Sequence, residues 1–534
     1  MSSILLLPNE LLRDISFYLS NDAVYDVNHP QKQLINLSMC CRHLRRVCAP
    51  AIWRCFIGRR KLRNHGEDYA IEDPYSMVKT WYICVDQKTG QVHIPDVLVR
   101  HGSLVRFLCL ELSDSSLNRQ ADLAMFNAIC EYCPLINELE LDTLDCSHAS
   151  ASYLAYLFSH AANPQRSLSR RLRHLALSCR DNVPGIPTSP IDLEHLAGMN
   201  TLSELHIAGV RLPVESVRTA LAGCSMRELS LMDMSSLPVD LAGLIGAIPE
   251  PHQLQLVSLS TAAPFAVTVL KPIFEIPPEL AGTPQGVSWL TSLTLRECVV
   301  DRDFIAEYIT PQRLPYLAIL GFSCKVEQGS VEFFTNFCAY EWPRLVALDM
   351  AYCTMLMALF VRIPSACPGL RSLNADCEFI EFLLHDMHNE DDAAGEFAQG
   401  LSSVLHQLKH LEQLKICVPT LHTSIALFGR DTMPQCLRTN VVSLHINSQR
   451  TRGGRNRISL AEGLARMGAL RSLTVFACDP FDDEEWRHIL GDQNLNDMSL
   501  RITHYSADNV TEDSDSDFEE FVDSDDSPGS GTEH

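Results

Sequence analysis

A leucine-based motif that recurs along most of the chain narrows its possible folds more than any other feature. The pattern apolar-x-x-Leu-x-apolar returns at fourteen places between Val105 and Leu500, at intervals of 24 to 41 residues. It is weak at the sixth place, where it consists of Leu256 and Leu259, and the last copy is Leu495, Met498 and Leu500. Because side chains alternate along a β-strand, the Leu-x-apolar part places two apolar residues on one face of a short strand. An average interval of about 30 residues leaves room for the strand, a turn and a returning helix. We therefore predict an α/β repeat array, a solenoid with parallel strands on its concave side and helices on its convex side.

The segments between the motifs carry prolines that agree with this architecture. Cys-Pro or Trp-Pro pairs at 133–134, 342–343 and 367–368 stand shortly before a motif, and proline cannot continue a helix. Two longer segments, 261–286 and 385–400, are predicted to be exposed loops because the first is rich in proline and the second in acidic residues. A doubly wound α/β fold is the alternative, but the chain lacks the glycine-rich phosphate-binding turns of such folds.

The residues between the apolar positions of each predicted strand face the concave side of the array. Such a row of outward side chains offers a long surface for another molecule. These residues are mostly polar and mixed in charge, which favours a peptide or protein ligand over an apolar small molecule. The candidate target-binding residues are Glu138, Glu140, His174, Glu204, His206, Thr294, Arg296, Asp349, Lys415 and His445.

The first sixty residues predict three short helices. Pro8 suits the first turn of the first helix, where its missing N–H costs nothing. Apolar residues then follow at helical spacing: Leu11, Leu12, Ile15 and Leu19 in the first stretch, and Leu34, Leu37, Cys41 and Leu44 in the second. A third helix is predicted to begin at Pro50 and to carry Ile52, Trp53 and Phe56. Three short helices bury little surface alone, so we expect part of their apolar surface to contact another protein.

The order of these residues resembles an F-box. Leu-Pro-x-Glu-Leu-Leu at 7–12, Leu-Ser-x-x-Cys-Arg at 37–42 and Pro-x-Ile-Trp at 50–53 follow the pattern of that element, with a longer loop between the first two helices. With repeats behind it that resemble cysteine-containing leucine-rich repeats, the chain is similar to F-box proteins with C-terminal leucine-rich repeats. The resemblance implies binding to a Skp adaptor, and through it to cullin and RING subunits. It assigns adaptor binding to Leu7, Pro8, Leu11, Leu12, Ile15, Leu19, Leu37, Cys41 and Trp53. The alternative is a helical cap on the repeat array.

Four regions are predicted along the chain. They are an F-box domain at 1–60, a connecting segment at 61–100, an array of about 14 leucine-rich units at 101–505, and an acidic tail at 506–534. Residues 508–534 contain eleven Asp and Glu and no Lys or Arg, so we expect this stretch to be disordered. Ser514, Ser516 and Ser524 lie among these acids as candidate phosphorylation sites, although a merely solubilising role is the alternative.

Composition and missing motifs exclude several function classes. A formal net charge of −23 argues against general binding to nucleic acid or to anionic membranes. The twenty cysteines are interpreted as reduced core thiols of a cytoplasmic or nuclear protein. Cys130 and Cys133 form one CxxC without a second ligand pair, so no metal is expected. Phosphate-binding and catalytic motifs are absent, so neither a cofactor nor an enzymatic activity is predicted.

The resemblance implies a substrate-recognition subunit of an SCF-type (Skp–cullin–F-box) ubiquitin ligase. In such a complex the F-box would bind the adaptor, the concave face would bind a protein target, and other subunits would transfer ubiquitin and so direct the target to proteasomal degradation. The alternative is an F-box adaptor or scaffold protein that acts outside ubiquitination.

Overall fold

A computed structural model provides the structure of the chain and describes it in parts. The described residues are 11–12, 41–63, 80–86, 92–94, 96–112, 119–143, 171–179, 201–209, 218–219, 221–234, 241–275, 288–324, 327–351, 353–375, 378–379, 390–417, 427–429, 432–447, 463–464, 466–477 and 499–504. The chain divides into two compact units. The first unit is Met1–Met355 with Ser365–Gly369, and the second is Leu356–Pro364 with Leu370–His534.

Most of the described strands follow the predicted motifs. In the first unit they are β1 Cys55–Arg63, β2 Thr80–Asp86, β3 Val92–His93, β4 Phe107–Leu112, β5 Glu138–Thr143, β6 His174–Cys179, β7 Glu204–Ala208, β8 Glu228–Met234, β9 Leu256–Ala266, β10 Ser292–Val299, β11 Ile319–Cys324, β12 Ala347–Asp349 and β13 Thr354–Met355. In the second unit they are β14 Ser372–Ala375, β15 Glu378–Phe379, β16 Gln413–Cys417, β17 Ser443–Asn447, β18 Ser472–Ala477 and β19 Ser499–His504.

Helices stand between many of these strands. They are α1 Arg42–Ile52, α2 Asp96–His101, α3 Arg119–Tyr132, α4 Leu241–Gly246, α5 Lys271–Phe274, α6 Arg302–Tyr308, α7 Glu327–Phe337, α8 Met357–Phe360, α9 Ile363–Ala366, α10 Glu390–Gln407 and α11 Gln435–Thr439. As the prolines predict, α3 ends one residue before Cys133-Pro134 and α9 ends one residue before Cys367-Pro368.

The sheet of the first unit grows by one parallel strand per repeat. From β4 to β12 each strand pairs in parallel with the next along the chain, and β1 pairs in parallel with both β2 and β4. Parallel neighbours need a returning connection, which the intervening segments supply. The prediction of a parallel, solenoid-like α/β arrangement is therefore confirmed for the strands and helices of this unit.

The second unit repeats the same arrangement with fewer strands. β14, β16, β17, β18 and β19 pair in parallel in that order. The last motif was predicted at Leu495, Met498 and Leu500, but Leu500 and Ile502 are the residues that lie opposite Leu473 and Val475. The register of this final unit is thus displaced by two residues from the prediction.

A ladder of buried residues runs across the first unit and explains why the motif is so persistent. Leu205, Leu229, Val257 and Leu293 are in register on β7 to β10, and each is fully buried. Burying a side chain of this size contributes roughly 1.5–3 kcal/mol. The weak motif predicted from Leu256 is corrected here, because Val257 occupies the position that leucine holds in the neighbouring strands.

Backbone hydrogen bonds at the strand entrances fix the register. The carbonyl of Arg173 accepts from the N–H groups of both Ser203 and Glu204, at 2.9 Å each. The carbonyl of Ser203 in turn accepts from the N–H groups of Arg227 and Glu228. In the first unit this pattern, in which one carbonyl accepts from two successive N–H groups, recurs along the chain from Arg54 to Ala318. In the second unit it recurs from Arg371 to Val442.

Aromatic residues fill the space between β11 and α7. Phe322 stacks on Phe333 with ring centroids 3.7 Å apart, and Phe337 stacks on Trp342 at 5.2 Å. The indole N–H of Trp342 donates to the carbonyl of Phe337, so the polar atom of this buried ring is satisfied. Helix and strand are therefore joined through one aromatic core.

Both predicted loops contain regular structure. The described part of segment 261–286 continues β9 to Ala266 and then forms α5, with Ile273 and Phe274 buried. Pro272 lies in the first turn of α5, where proline is compatible with a helix. The acidic segment 385–400 forms much of α10, which begins at Glu390.

The third N-terminal helix is also corrected. Pro50 lies inside α1, near its end, and Trp53 caps that helix with its N–H donating to the carbonyl of Ala49. Phe56 belongs to β1, so the chain enters the sheet where a helix was predicted. The predicted boundary between residues 60 and 61 falls within this strand.

Candidate functional site

The described part of the predicted F-box is a small helical core. Leu12 is buried against Leu44 and Val47 of α1, with Cys41 packed beside them. The thiol of Cys41 caps the helix by accepting from the N–H of Leu44 at 3.4 Å. Leu12 and Cys41, predicted to bind an adaptor, therefore contribute to holding the helices together.

Leu11 differs from its neighbour. Its side chain is 48% exposed, whereas that of Leu12 is 1% exposed. An exposed leucine beside a buried one means that this short segment has apolar groups on two sides, only one of which packs against α1. Leu7, Pro8, Ile15, Leu19 and Leu37 lie outside the described residues.

Trp53 connects the helical region to the sheet. Its ring stacks on that of His101 at the end of α2, with centroids 4.7 Å apart and planes 3° from parallel. The next residue, Arg54, pairs through Nη2 with Oε1 of Glu138 on β5 at 3.0 Å. The carbonyl of Arg54 accepts from the N–H groups of Arg106 and Phe107. Trp53, predicted to face an adaptor, thus makes a contact within the first unit.

Five predicted target-binding residues come together on the outward face of β5 to β7. Glu138, His174 and Glu204 are in register on successive strands, and Glu140 and His206 occupy the next outward positions. Glu228 on β8 lies in register with Glu204 and extends the row. We call these six residues the acid–histidine ladder: Glu138, Glu140, His174, Glu204, His206 and Glu228.

Four of the six ladder side chains contact one another. Nδ1–H of His174 donates to Oε2 of Glu204 at 3.0 Å, and Nε2 of His206 lies 3.7 Å from Oε2 of Glu228. The rings of His174 and His206 are 5.0 Å apart. All four of these side chains are half-buried or close to it, so His174, Glu204, His206 and Glu228 form a connected polar surface rather than separate charges.

The electrostatic environment favours the charged form of Glu204. The hydrogen bond from His174 lowers the pKa of this carboxyl, and the charges of His174, His206 and Arg227 act in the same direction against the opposing effect of burial. Glu204 is therefore a carboxylate at neutral pH.

Sequence reasoning missed Glu228. It stands immediately before the second apolar position of its motif, as Glu138, His174 and Glu204 do in theirs. Its residue type and its place in the repeat were both readable from the sequence. Comparison of equivalent positions between repeats would have found it.

Three further predicted residues form a second group on the same unit. Nη2 of Arg296 on β10 lies 3.8 Å from Oδ2 of Asp349 on β12, and Thr294 is in register with Gly321 between them. A Cβ on Gly321 would lie 3.0 Å from Cγ2 of Thr294. The side chain of Thr294 therefore packs against Gly321, on the strand that lies between Arg296 and Asp349.

The remaining two predicted residues lie in the second unit. Lys415 on β16 and His445 on β17 are in register, with Asn374 on β14 and Thr474 on β18 at the equivalent positions. The structure therefore distributes the ten predicted residues over three places: five in the acid–histidine ladder, three around Gly321 and two in the second unit.

The cysteines behind the strands are thiols with a structural role. Cys353 donates to the carbonyl of Phe322 at 2.7 Å, and Cys298 donates to that of Ser323 at 3.4 Å. Burial raises the pKa of Cys133 to about 12 and that of Cys224 and Cys436 to about 11, so these thiols are protonated at neutral pH. The cysteines whose side chains are described form no disulfide bond, and among the described residues no cluster of His, Cys, Asp and Glu is arranged to hold a metal ion.

Two further findings concern membrane spans and known proteins. None of the helices in the described part combines the length and apolar character needed to cross a bilayer. Comparison with models of known protein families gives no match, and comparison with curated proteins gives none either. The function of the candidate site is therefore inferred from its own residues.

Proposed function

We propose that this chain is the substrate-recognition subunit of an SCF-type ubiquitin ligase, a non-catalytic receptor in the cytoplasm or nucleus. Its N-terminal helices would bind a Skp adaptor, and the outward face of its strands would hold a protein target. Cullin and RING subunits would join through the adaptor, and ubiquitin transfer would be carried out by those other subunits. No cofactor is needed for this role.

The exposed side chain of Leu11 is the observation that carries the proposal. Leu12 packs into the core with Leu44 and Val47, and Leu11 remains on the surface beside it. An adaptor-binding helix needs this division, because one apolar group must stabilise the helices while another stays available to a partner. The ordered F-box pattern in the sequence adds independent support.

The acid–histidine ladder supports the receptor role. Its six side chains lie on four adjacent strands whose neighbours are about 4.8 Å apart. A polar row of this length suits an extended or helical protein segment, and it offers hydrogen-bond acceptors with fixed spacing. Its position on regular strands keeps those groups in place before a target binds.

The contact of Trp53 with His101 has a consequence for this function. A target held on the strands would be presented at a defined distance from the adaptor only if the helices are joined firmly to the sheet. The Arg54–Glu138 pair makes such a contact with β5, and the Trp53 stack joins the end of α1 to α2. Proximity then raises the effective concentration of the target near the transferring subunits.

Capture of a Skp adaptor by the purified chain tests the proposal. Leu11→Asp should abolish capture, because it places a charge in the proposed apolar contact while leaving the Leu12 core intact. Ile319→Asp is the matched control, since Ile319 is similarly exposed at 44% but lies on β11. Loss of capture only with Leu11→Asp supports the adaptor role. Undiminished capture by Leu11→Asp, or no capture by the unmodified chain, would refute it.

A further inference from the structure

A tryptophan, a tyrosine and an arginine lie side by side where the chain enters three successive strands of the first unit. Trp289, Tyr316 and Arg344 each stand immediately before a buried leucine of the repeat motif, ahead of β10, β11 and β12. The indole of Trp289 stacks on the ring of Tyr316, with centroids 5.8 Å apart and planes 20° from parallel. The guanidinium carbon of Arg344 lies over the same tyrosine ring, 5.1 Å from its centroid. We call these three residues the aromatic row.

The aromatic row is open to solvent. Trp289 is 40% exposed, whereas Trp342 is buried and donates its indole N–H to the carbonyl of Phe337. Among the described residues, none accepts a hydrogen bond from the indole of Trp289. In the same part of the chain, neither the hydroxyl of Tyr316 nor the guanidinium of Arg344 has a hydrogen-bond or ion-pair partner. Exposed Trp, Tyr and Arg side chains are the residue types on which protein interfaces depend most.

The backbone holds the aromatic row in place. The N–H of Trp289 donates to the carbonyl of His252 at 3.4 Å, and the hydroxyl of buried Ser288 accepts from the N–H of Leu290. At the equivalent position of the repeat after Arg344 stands Gly369, which has no side chain to cover the guanidinium. A ligand would therefore meet side chains that are already ordered and accessible, which reduces the entropy lost on binding.

The chemistry of these side chains selects the kind of ligand. An indole and a guanidinium only donate hydrogen bonds, and a phenol both donates and accepts. The matching ligand is rich in acceptors and poor in donors. A proline-rich segment has this character, because proline lacks a backbone N–H and the carbonyls of a polyproline II helix make no internal hydrogen bonds. Proline-rich segments in this conformation are recognised by aromatic surfaces.

The spacing of the aromatic row matches one turn of such a segment. Trp289 and Arg344 are two repeats apart, which is about 9.6 Å because neighbouring strands are about 4.8 Å apart. Three residues of a polyproline II helix rise about 9.3 Å. A side chain three residues after a proline that lies on Trp289 would thus reach Arg344. A carboxylate there would accept two N–H donors from the guanidinium.

We propose that the aromatic row binds a segment of another protein with the sequence Pro-x-x-Glu or Pro-x-x-Asp in the polyproline II conformation. The proline packs on the rings of Trp289 and Tyr316, whose N–H and O–H groups donate to carbonyls of the segment. The acidic residue pairs with Arg344. This surface lies at the entrances of β10 to β12, whereas the acid–histidine ladder lies on the outward face of β5 to β8. The inference therefore does not depend on the adaptor role, and it is measured without an adaptor.

Fluorescence anisotropy with a synthetic peptide tests the inference on the full chain. The probe is fluorescein-labelled Pro-Pro-Pro-Glu-Pro-Pro amide. One comparison peptide has lysine in place of the glutamate, and another has serine and glycine in place of the prolines. We expect the probe to bind and each comparison peptide to bind at least about ten-fold more weakly, because each lacks one of the two main contacts. No saturable binding of the probe, or equal binding of the three peptides, would overturn the inference.

Substitution of the tryptophan locates the binding site. Trp289→Ala should weaken binding of the probe at least about ten-fold, and Trp289→Phe should weaken it less because a ring remains without the N–H donor. Tyr132→Ala is the control, since Tyr132 is similarly exposed at 39% but belongs to α3. Circular dichroism confirms that the variants are folded. Equal affinity of Trp289→Ala and Tyr132→Ala for the probe would contradict binding at the aromatic row.

An exchange of charge tests the pair with Arg344. Arg344→Glu should bind the lysine peptide more tightly than the glutamate probe, which reverses the preference of the unmodified chain. A variant that had merely lost its structure would bind neither peptide. Arg313→Glu is the matched control, because the guanidinium of Arg313 lies over a different tyrosine, Tyr308, at 5.6 Å from the ring centroid. An unchanged preference in Arg344→Glu, or the same reversal in Arg313→Glu, would overturn the inference, whatever the outcome of adaptor capture.

Discussion

The two units bury the same kind of residue but expose different ones. Leu205 and Leu229 in the first unit, and Leu414 and Leu444 in the second, are paired in register and almost fully buried. On the outward side, β5 to β8 of the first unit carry four glutamates and two histidines in the acid–histidine ladder. On β14, β16, β17 and β18 the row equivalent to Glu138, His174, Glu204 and Glu228 consists of Ser372, Gln413, Ser443 and Ser472. The row equivalent to Glu140 and His206 consists of Asn374, Lys415, His445 and Thr474. The inward positions are thus set by the architecture, while the outward ones can vary with the ligand.

The largest effect is expected from the shared inward positions. Leu229→Ala and Leu444→Ala should each lower the free energy of unfolding by about 2–5 kcal/mol, because each leaves a cavity between tightly packed strands. Urea unfolding monitored by circular dichroism measures the loss. The outward neighbours Glu228→Ala and His445→Ala are the controls and should each cost less than about 1 kcal/mol. If Leu444→Ala left the free energy of unfolding unchanged, the buried leucines of the second unit would not stabilise it as those of the first unit do.

The next largest effect, on the binding of targets, should distinguish the outward face of the first unit from that of the second. Glu204→Gln combined with Glu228→Gln should reduce recovery of bound targets about ten-fold or more, because each lost charge-assisted hydrogen bond costs roughly 1.5–3 kcal/mol. Proximity labelling in the presence of a cullin inhibitor gives the target list and its quantities. Lys415→Gln in the second unit should have a smaller effect. If Lys415→Gln reduced the recovery of targets as much as the double variant does, the target would have to contact residues beyond the acid–histidine ladder.

A smaller effect concerns acid stability, and it should be confined to the first unit. The pKa of Glu204 is lowered from its ordinary value of 4.5, chiefly by the hydrogen bond from His174. A carboxyl with a lowered pKa in the folded state stabilises the protein above its unfolded pKa, and this stabilisation is lost as the pH falls through the lower, folded value. His174→Gln should therefore raise the pKa of Glu204, as carboxyl-carbon NMR titration would show. An unchanged pKa of Glu204 in this variant would mean that the hydrogen bond from His174 does not lower it.

The smallest effects should come from the exposed ion pairs of either unit. Asp349→Asn removes the partner of Arg296, and Glu412→Gln removes that of Arg371. Each change should alter the free energy of unfolding by only about 0–1 kcal/mol, because solvent screens exposed pairs. Thermal unfolding of the two variants measures this. A loss well above about 1 kcal/mol for Asp349→Asn would indicate that its pair with Arg296 is structurally important.

Leucine periodicity was sufficient to predict the strands and their buried side, because two leucines separated by one residue share a face only where the backbone is extended. It was insufficient where another apolar residue occupies the buried position of leucine, as Val257 does, or where two registers fit equally, as at Leu500. Proline content was misleading at α5, since proline tolerates the first turn of a helix and Pro272 occupies that turn. The pattern Pro-x-Ile-Trp likewise predicted the start of a helix where α1 ends and the chain enters β1.

The candidate site was predicted less completely than the fold. Outward positions follow directly from strand alternation, which is why five residues of the acid–histidine ladder were found beforehand. Contacts between distant residues do not follow from alternation. The stack of Trp53 on His101 and the pair of Arg54 with Glu138 join positions 48 and 84 residues apart, and no local pattern encodes them.

The paired hydrogen bonds at the strand entrances have a consequence for how such a chain can change. Since one carbonyl receives both donors of the incoming repeat, alignment of neighbouring strands is decided at that point and not by the length of the connection. Insertions of many residues between strands would therefore leave the sheet undisturbed. Selection could lengthen, shorten or decorate the connections freely, and peptide tags should be accommodated there with little loss of stability.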